Sequence, residues 1–224
     1  MAKARNEDKQ QKRAAQRAAD ERRKWHRSLI RRGIGIVAVL IIAAILYDNY
    51  ARRQLLRDVK TATYTAGLHD AGPISYVESP PMGGAHNVVW QNCGIYEAPI
   101  HNEHAVHSME HGAVWITYRP GLPPDQVERL RALASDDYLL LSPYPGLAQP
   151  VVASAWNRQL TFERADDPGL PAFIGRFKNN PETTPEFGAL CTGGTSALAT
   201  TDSLTTGSGP MTQTMKRVPG FAND

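Results

Sequence analysis

Only two of the 224 residues are cysteine, Cys93 and Cys191. Neither has a second cysteine within three positions, so the dithiol motif needed for disulfide exchange is missing. A four-cysteine zinc site is excluded by count alone. No GxSxG nucleophile turn and no GxxxxGK phosphate loop occurs, and Ser108 has no supporting context as a nucleophile. No internal repeat is present. Beyond Gly193 almost no large apolar side chain remains, so residues 193–224 lack the means to build a core and are expected to be a disordered tail.

What the chain does contain is unevenly spread. Residues 1–32 carry twelve Lys or Arg against four Asp or Glu, a local charge of +8 in a chain of net +3, which leaves −5 for the remainder. The run "GIGIVAVLIIAAILY", residues 33–47, follows directly and has no polar group except the terminal tyrosine hydroxyl. Leu29, Ile30 and Tyr50 extend it towards the roughly 20 residues that span a bilayer, and flanking arginines can snorkel. The expectation is one uncleaved transmembrane helix over residues 33–50. A cleaved export signal and a buried core helix are the alternatives; against the first stand the long basic segment and the lack of a small-x-small cleavage site before "YDNYARRQ". The positive-inside rule then keeps residues 1–32 in the cytoplasm as a basic arm and sends the rest of the chain outside. Beside a span, a basic run serves as a topology signal, so the cytoplasmic membrane is the expected partner and nucleic acid is not.

That topology places both cysteines in an oxidising compartment, where one intramolecular connectivity, Cys93–Cys191, is available. Two separate buried thiols are the alternative.

Residues 51–72 are polar and suggest a stalk that supplies reach. Residues 73–192 are patterned as a globular domain. "ISYVES" and "VVWQNCGIY" suggest strands, "AVWITYR" is a clear one, and "PGLPPDQVERLRALAS" sets Val127, Leu130, Leu133 and Ala134 at helical spacing. "YLLLSP" and "PVVASAWNRQLTF" suggest two further strands, and "PGLPAFIGRFKNN" a last helix with Phe173 and Phe177 four apart. The order fits an α+β domain, a mixed sheet with helices packed on it. It is also the element order of a thioredoxin-like domain, with Pro150 near the position of that fold's cis proline. Trp156, Asn157 and Arg158 can line a pocket, although a strand tryptophan is more often core.

The unusual stretch is "HNEHAVHSMEHGAVW", residues 101–115, which holds four of the seven histidines. As a helix it puts His104, His107 and His111 within an arc of about 60°, with Glu103 and Glu110 at the edge. As a strand it puts His101, Glu103, His107, Met109 and His111 on one face. Either geometry gathers ligands for a transition metal. Imidazole suits zinc or copper, and a thioether from Met109 or Met82 tilts the preference to copper. His86, in the "PPMGGAHN" loop, offers a ligand from outside. Two further readings compete. In one, His107 and Glu110 only hydrogen-bond loop backbone, as in an envelope scaffold or complex subunit that binds no metal. In the other, "HSMEH" is the HxxEH of an inverted zinc peptidase, although that motif belongs in the middle of a long helix and here Gly112 follows at once.

"VHSMEHGAVWITYRPGLP" and "SPYPGLAQPVVASAWNRQL" resemble an uncharacterised family of single-span bacterial membrane proteins, common in actinobacteria, whose domain has no assigned function. The resemblance covers about residues 76–180. It implies that His86, His107, Glu110 and His111, with Gly112, Trp156 and Arg158, fall on the family's recurring positions. Gly83 and Ala85 replace the family's Ser and Pro before His86, and Asn157 stands where glycine is usual. His101 and His104 lie outside those motifs. The resemblance implies no activity. The resulting expectation is an extracytoplasmic domain that binds copper or zinc through His86, His107, Glu110, His111 and Met109 for metal handling at the cell envelope, with an envelope protein as a possible partner.

Overall fold

A computed structural model describes residues 2–205. The chain divides between Gln54 and Leu55 into two compact units.

The first unit is built on one helix, α1 (Ala2–Leu55). Its stretch Ile30–Leu55 is long and apolar enough to cross a membrane, and the side chains of Ile34, Val37, Leu40, Ile41 and Ile45 are exposed. A core helix would bury them, so that alternative falls, and the helix fits single-pass anchoring.

The second unit is α+β. Among the described residues its sheet has six strands in the order β1-β6-β5-β3-β4-β2. These are β1 (Lys60–Thr61), β2 (Gly94–Ile95), β3 (Val114–Tyr118), β4 (Leu139–Pro143), β5 (Val151–Ala155) and β6 (Arg158–Phe162). The helices are α2 (Asn102–Glu110), α3 (Pro124–Leu133) and α4 (Gly169–Phe177). β2, β3 and β4 run parallel, while β5 is antiparallel to β3 and β6 to β5. From β2 onward, strand order and direction are those of a thioredoxin-like sheet. The cis peptide among the described residues is Ser79–Pro80, so Pro150 does not play that fold's part.

Side-chain alternation splits β3 and β4 between two apolar layers. Val114, Ile116, Leu139 and Leu141 face α3 and α4 in one cluster with Leu130, Leu170 and Phe173. Trp115 and Leu140 face the opposite way, into a second cluster with Ala105, Val106 and Met109 of α2. Both sheet faces are covered, which is why "VWITY" and "LLLSP" read as nearly continuous apolar runs.

Four expectations change. Residues 56–72 are not a stalk: Leu56 and Val59 pack on the first cluster and β1 pairs with β6. "ISYVES" forms no strand, and "VVWQNCGIY" contributes only β2. "PVVASAWNRQLTF" is a hairpin, not one strand, because Asn157 adopts φ 61° and turns the chain. Asparagine tolerates that left-handed region better than other non-glycine residues. Finally, residues 193–205 are held: Thr195 N donates to Trp90 O at 2.8 Å and Ala199 N to Pro99 O at 2.8 Å. The remainder of the expected tail, residues 206–224, lies outside the described residues.

Cys93 and Cys191 form a disulfide with Cα atoms 5.4 Å apart and a sequence separation of 98. It ties the edge strand β2 to the segment that follows α4. Cross-linking so distant a pair restricts the unfolded chain strongly, so Cys93→Ser/Cys191→Ser should lose about 4 kcal/mol of unfolding free energy. Urea denaturation of the full chain in detergent measures it; a loss below about 1 kcal/mol would mean that the unfolded chain is restrained by other means.

Candidate metal centre

Every residue of α2 from Glu103 to Glu110 is buried. One side of the helix meets the sheet, and the other is roofed by loops instead of water. Polar side chains on the roofed side must therefore find partners in the loops. The His104 ring donates from Nδ1 to Val89 O at 2.7 Å, His107 from Nδ1 to Asn87 O at 2.7 Å, and Ser108 Oγ donates to Gln91 O at 2.7 Å. Glu103 accepts from Ile74 N at 2.9 Å. Just past the helix, His111 donates from Nδ1 to Leu190 O at 2.7 Å. In the roof itself, His86 donates from Nδ1 to Gly84 O at 2.9 Å.

A carbonyl oxygen can only accept, so each of these rings carries its proton on Nδ1. In the neutral ring Nε2 is then a bare lone pair. The backbone has thus fixed the tautomer and the direction of the ligand atom in His86, His107 and His111.

Those lone pairs converge with groups from other segments. His69, His86, His107 and Glu110 each place one ligand atom within 4.8 Å of the others. His86, His107 and Glu110 are buried, and His69 is exposed. Glu110 Oε1 accepts from Gly67 N at 2.6 Å, leaving Oε2 to face His86 Nε2 at 2.8 Å. Apart from each other, neither of these two fully buried atoms has a hydrogen-bond partner. Two acceptors at that distance repel. A second proton on the ring relieves them by making a buried imidazolium–carboxylate pair; a metal ion held by both relieves them without it.

His69 arrives by backbone pairing. Asp70 N donates to His86 O at 2.8 Å and His86 N to Leu68 O at 2.9 Å, a parallel bridge that sets the two rings edge to face, with centroids 4.9 Å apart. Asn157 anchors the same layer from the β5–β6 turn. Its Oδ1 accepts from Tyr64 N at 2.7 Å and its backbone N donates to Met82 O at 2.6 Å. The Tyr64 ring lies so close to Gly83 that a Cβ there would come within 2.9 Å of it. Gly83 and Gly84 both have positive φ, so the loop into His86 is shaped by glycine.

Burial favours neutral rings at His69, His104 and His107, and Glu110 stays charged. Burial, reinforced by the neighbouring His111 and His86 rings, pushes His107 down to about 2. Burial also lowers His69 and His104. For Glu110 burial acts upward, but the Gly67 N–H and a His86 ring that carries the second proton, the imidazolium–carboxylate arrangement, outweigh it and hold the carboxyl below its usual value.

The structure brings together His86, His107 and Glu110 of the sequence-derived set. His111 points instead to Glu186, at 3.2 Å. Met109 does not join them: it is buried in the second apolar cluster, because on a helix it lies about 200° from His107. Met82 is buried, with its carbonyl held by Asn157. His104 is saturated, its Nε2 accepting from Thr205 N at 3.3 Å, and His101 Nε2 meets Asp202 O at 3.0 Å. Trp156 is core, edge-on to His86 at 5.8 Å. His69 and Glu186 escaped the sequence reading, since each is a lone ligand in a polar stretch without helical or strand periodicity. The site sits at the start of β3, beside the β5–β6 turn. It lies opposite the C-terminal ends of the parallel strands, where an open α/β sheet usually carries its ligand.

The depressed histidines set the pH response of the metal-free protein. Above about pH 6.5 His107 is neutral in both states and costs nothing; below it the unfolded chain takes a proton that the folded one refuses, so stability falls with pH by up to about 1.4 kcal/mol per unit. His69 and His104 act in the same direction, and Glu110 adds to it below its ordinary carboxyl range. Chelator-treated protein should therefore show a lower urea midpoint at pH 5 than at pH 7.5, and His107→Gln should flatten the slope. An unchanged midpoint would mean that the rings are protonated when folded.

No curated protein and no solved structure matches the chain. One family model does: described as "Protein of unknown function (DUF3105)", it begins at His69, ends just past Cys191 and contains all the ligand candidates above. Matching residues 69–193, more than half of the sequence, it shows that this chain belongs to the DUF3105 family.

Proposed function

We propose that this protein is a membrane-anchored, extracytoplasmic metal-binding domain that holds one divalent transition metal ion, zinc or copper(II), through His69, His86, His107 and Glu110, for metal handling at the cell envelope. The observation that carries the reading is the buried pair His86 Nε2 and Glu110 Oε2, which face each other at 2.8 Å and have no other hydrogen-bond partner. Three imidazoles and one carboxylate make a borderline to hard donor set. With Met109 turned into the apolar core, the thioether that would favour copper(I) is lost. Four protein ligands would fill the coordination of a four-coordinate ion, as in metal-holding sites, whereas a zinc hydrolase keeps a position open for water. The basic arm before the apolar helix supports an N-terminus in the cytoplasm, and the disulfide supports an oxidising compartment for the domain.

Two measurements test this. Full chain purified in detergent without chelator should contain one equivalent of metal by mass spectrometry, and His107→Ala should contain none. Glu110→Gln separates the metal from the buried ion pair. An amide donates to His86 Nε2, so the metal-free variant should be as stable as the parent, or more so, while metal affinity falls by about 100-fold or more. If instead the variant loses about 3–5 kcal/mol and the parent binds no metal, His86 is an imidazolium paired with Glu110 and the proposal fails.

A further inference from the structure

A second, smaller set of ligands adjoins the first. His107, His111 and Glu186 also place one ligand atom each within 4.8 Å of the others. The His107 and His111 rings are 4.6 Å apart, and His111 Nε2 lies 3.2 Å from Glu186 Oε2. His111 Nδ1 is committed to Leu190 O, so its Nε2 is as bare as that of His107. Glu186 N donates to Glu110 O at 3.1 Å, which fixes the spacing between the two carboxylate segments. The Glu186 side chain keeps 18% of its surface exposed, whereas Glu110 keeps none.

His107 belongs to both sets but cannot serve two ions. Its Nδ1 donates to Asn87 O, which leaves one lone pair. The two positions therefore exclude one another through a single ring. Each set combines imidazoles, which bind a metal in their neutral form, with one carboxylate, so a divalent ion has the same net charge in either. Movement between them exchanges ligands without stranding charge in a buried place.

We infer that His107, His111 and Glu186 form an exchange position, through which a metal ion passes between solvent and the buried position while His107 stays bound. This rests on reading the buried cluster as a metal site. On the way out, bonds to His69, His86 and Glu110 are given up as bonds to His111 and Glu186 form, with no change of oxidation state.

The test uses full-length protein in detergent, loaded with Zn²⁺ or Cu²⁺, with metal content by mass spectrometry, release to excess EDTA, and Cu²⁺ electron paramagnetic resonance. The parent should bind one ion. His111→Ala/Glu186→Gln should still bind one ion at near-parental affinity but release it about tenfold more slowly or worse. His86→Ala/Glu110→Gln should bind one ion weakly, with a changed copper spectrum, and lose it when His111→Ala is added. Circular dichroism and an intact disulfide certify each fold, and His111→Gln replaces His111→Ala if the latter misfolds. Two ions in the parent would overturn mutual exclusion. Release unaffected by His111→Ala/Glu186→Gln but altered by His69→Ala would move the route to His69 and overturn the exchange position while leaving the buried site standing. No ion in the parent would sink the buried site first.

Discussion

The arrangement depends on one interaction repeated four times in a small volume: an imidazole Nδ1–H donated to a main-chain carbonyl. His86, His104, His107 and His111 each make it, to Gly84, Val89, Asn87 and Leu190. The bonds from His104, His107 and His111 hold the roof over α2, and that of His86 shapes the roof loop itself. Each also dictates the ring's tautomer. A backbone carbonyl cannot be titrated or moved by a side-chain substitution, so it orients a ligand more rigidly than another side chain would.

Histidines that hydrogen-bond loop backbone and histidines that ligate metal look like rival readings, yet the ring has two nitrogens, and a backbone bond at Nδ1 leaves Nε2 able to serve as a ligand. His104 shows the limiting case, in which the second nitrogen is also taken by Thr205 N. His107 shows the other, with Nε2 in both ligand sets. The difference comes from which segment happens to lie beyond the ring.

Sequence pattern made the framework legible where periodicity is strong. β3, β4, α3 and α4 stand where apolar spacing puts them, and the paired cysteines were marked by being the only two. The helical option for the histidine segment was also the correct one, but a shared stripe is not a shared ion. His104 and His111 are separated by about 10 Å along a helix axis, too far to ligate one metal. Their partners had to come from elsewhere, and nothing local announces them. His69 is delivered by a single parallel bridge to His86, and Glu186 by the return of the chain after α4. Long-range pairing of that kind has no period. The same blindness made residues 56–72 look like a spacer and residues 193–205 like a loose tail, because backbone hydrogen bonds hold them without needing an apolar pattern.

The two outermost strands, β1 and β2, are each two residues long. A sheet ending in such short strands offers little unpaired backbone on which a neighbouring molecule could add a strand. The second edge is guarded further, since Cys191 O accepts from Cys93 N next to the disulfide. Self-association through its edges is discouraged by geometry, with the exposed Lys60 of β1 as the one charged gatekeeper on the two strands. The central strands are thereby free to be as apolar as the two buried layers require.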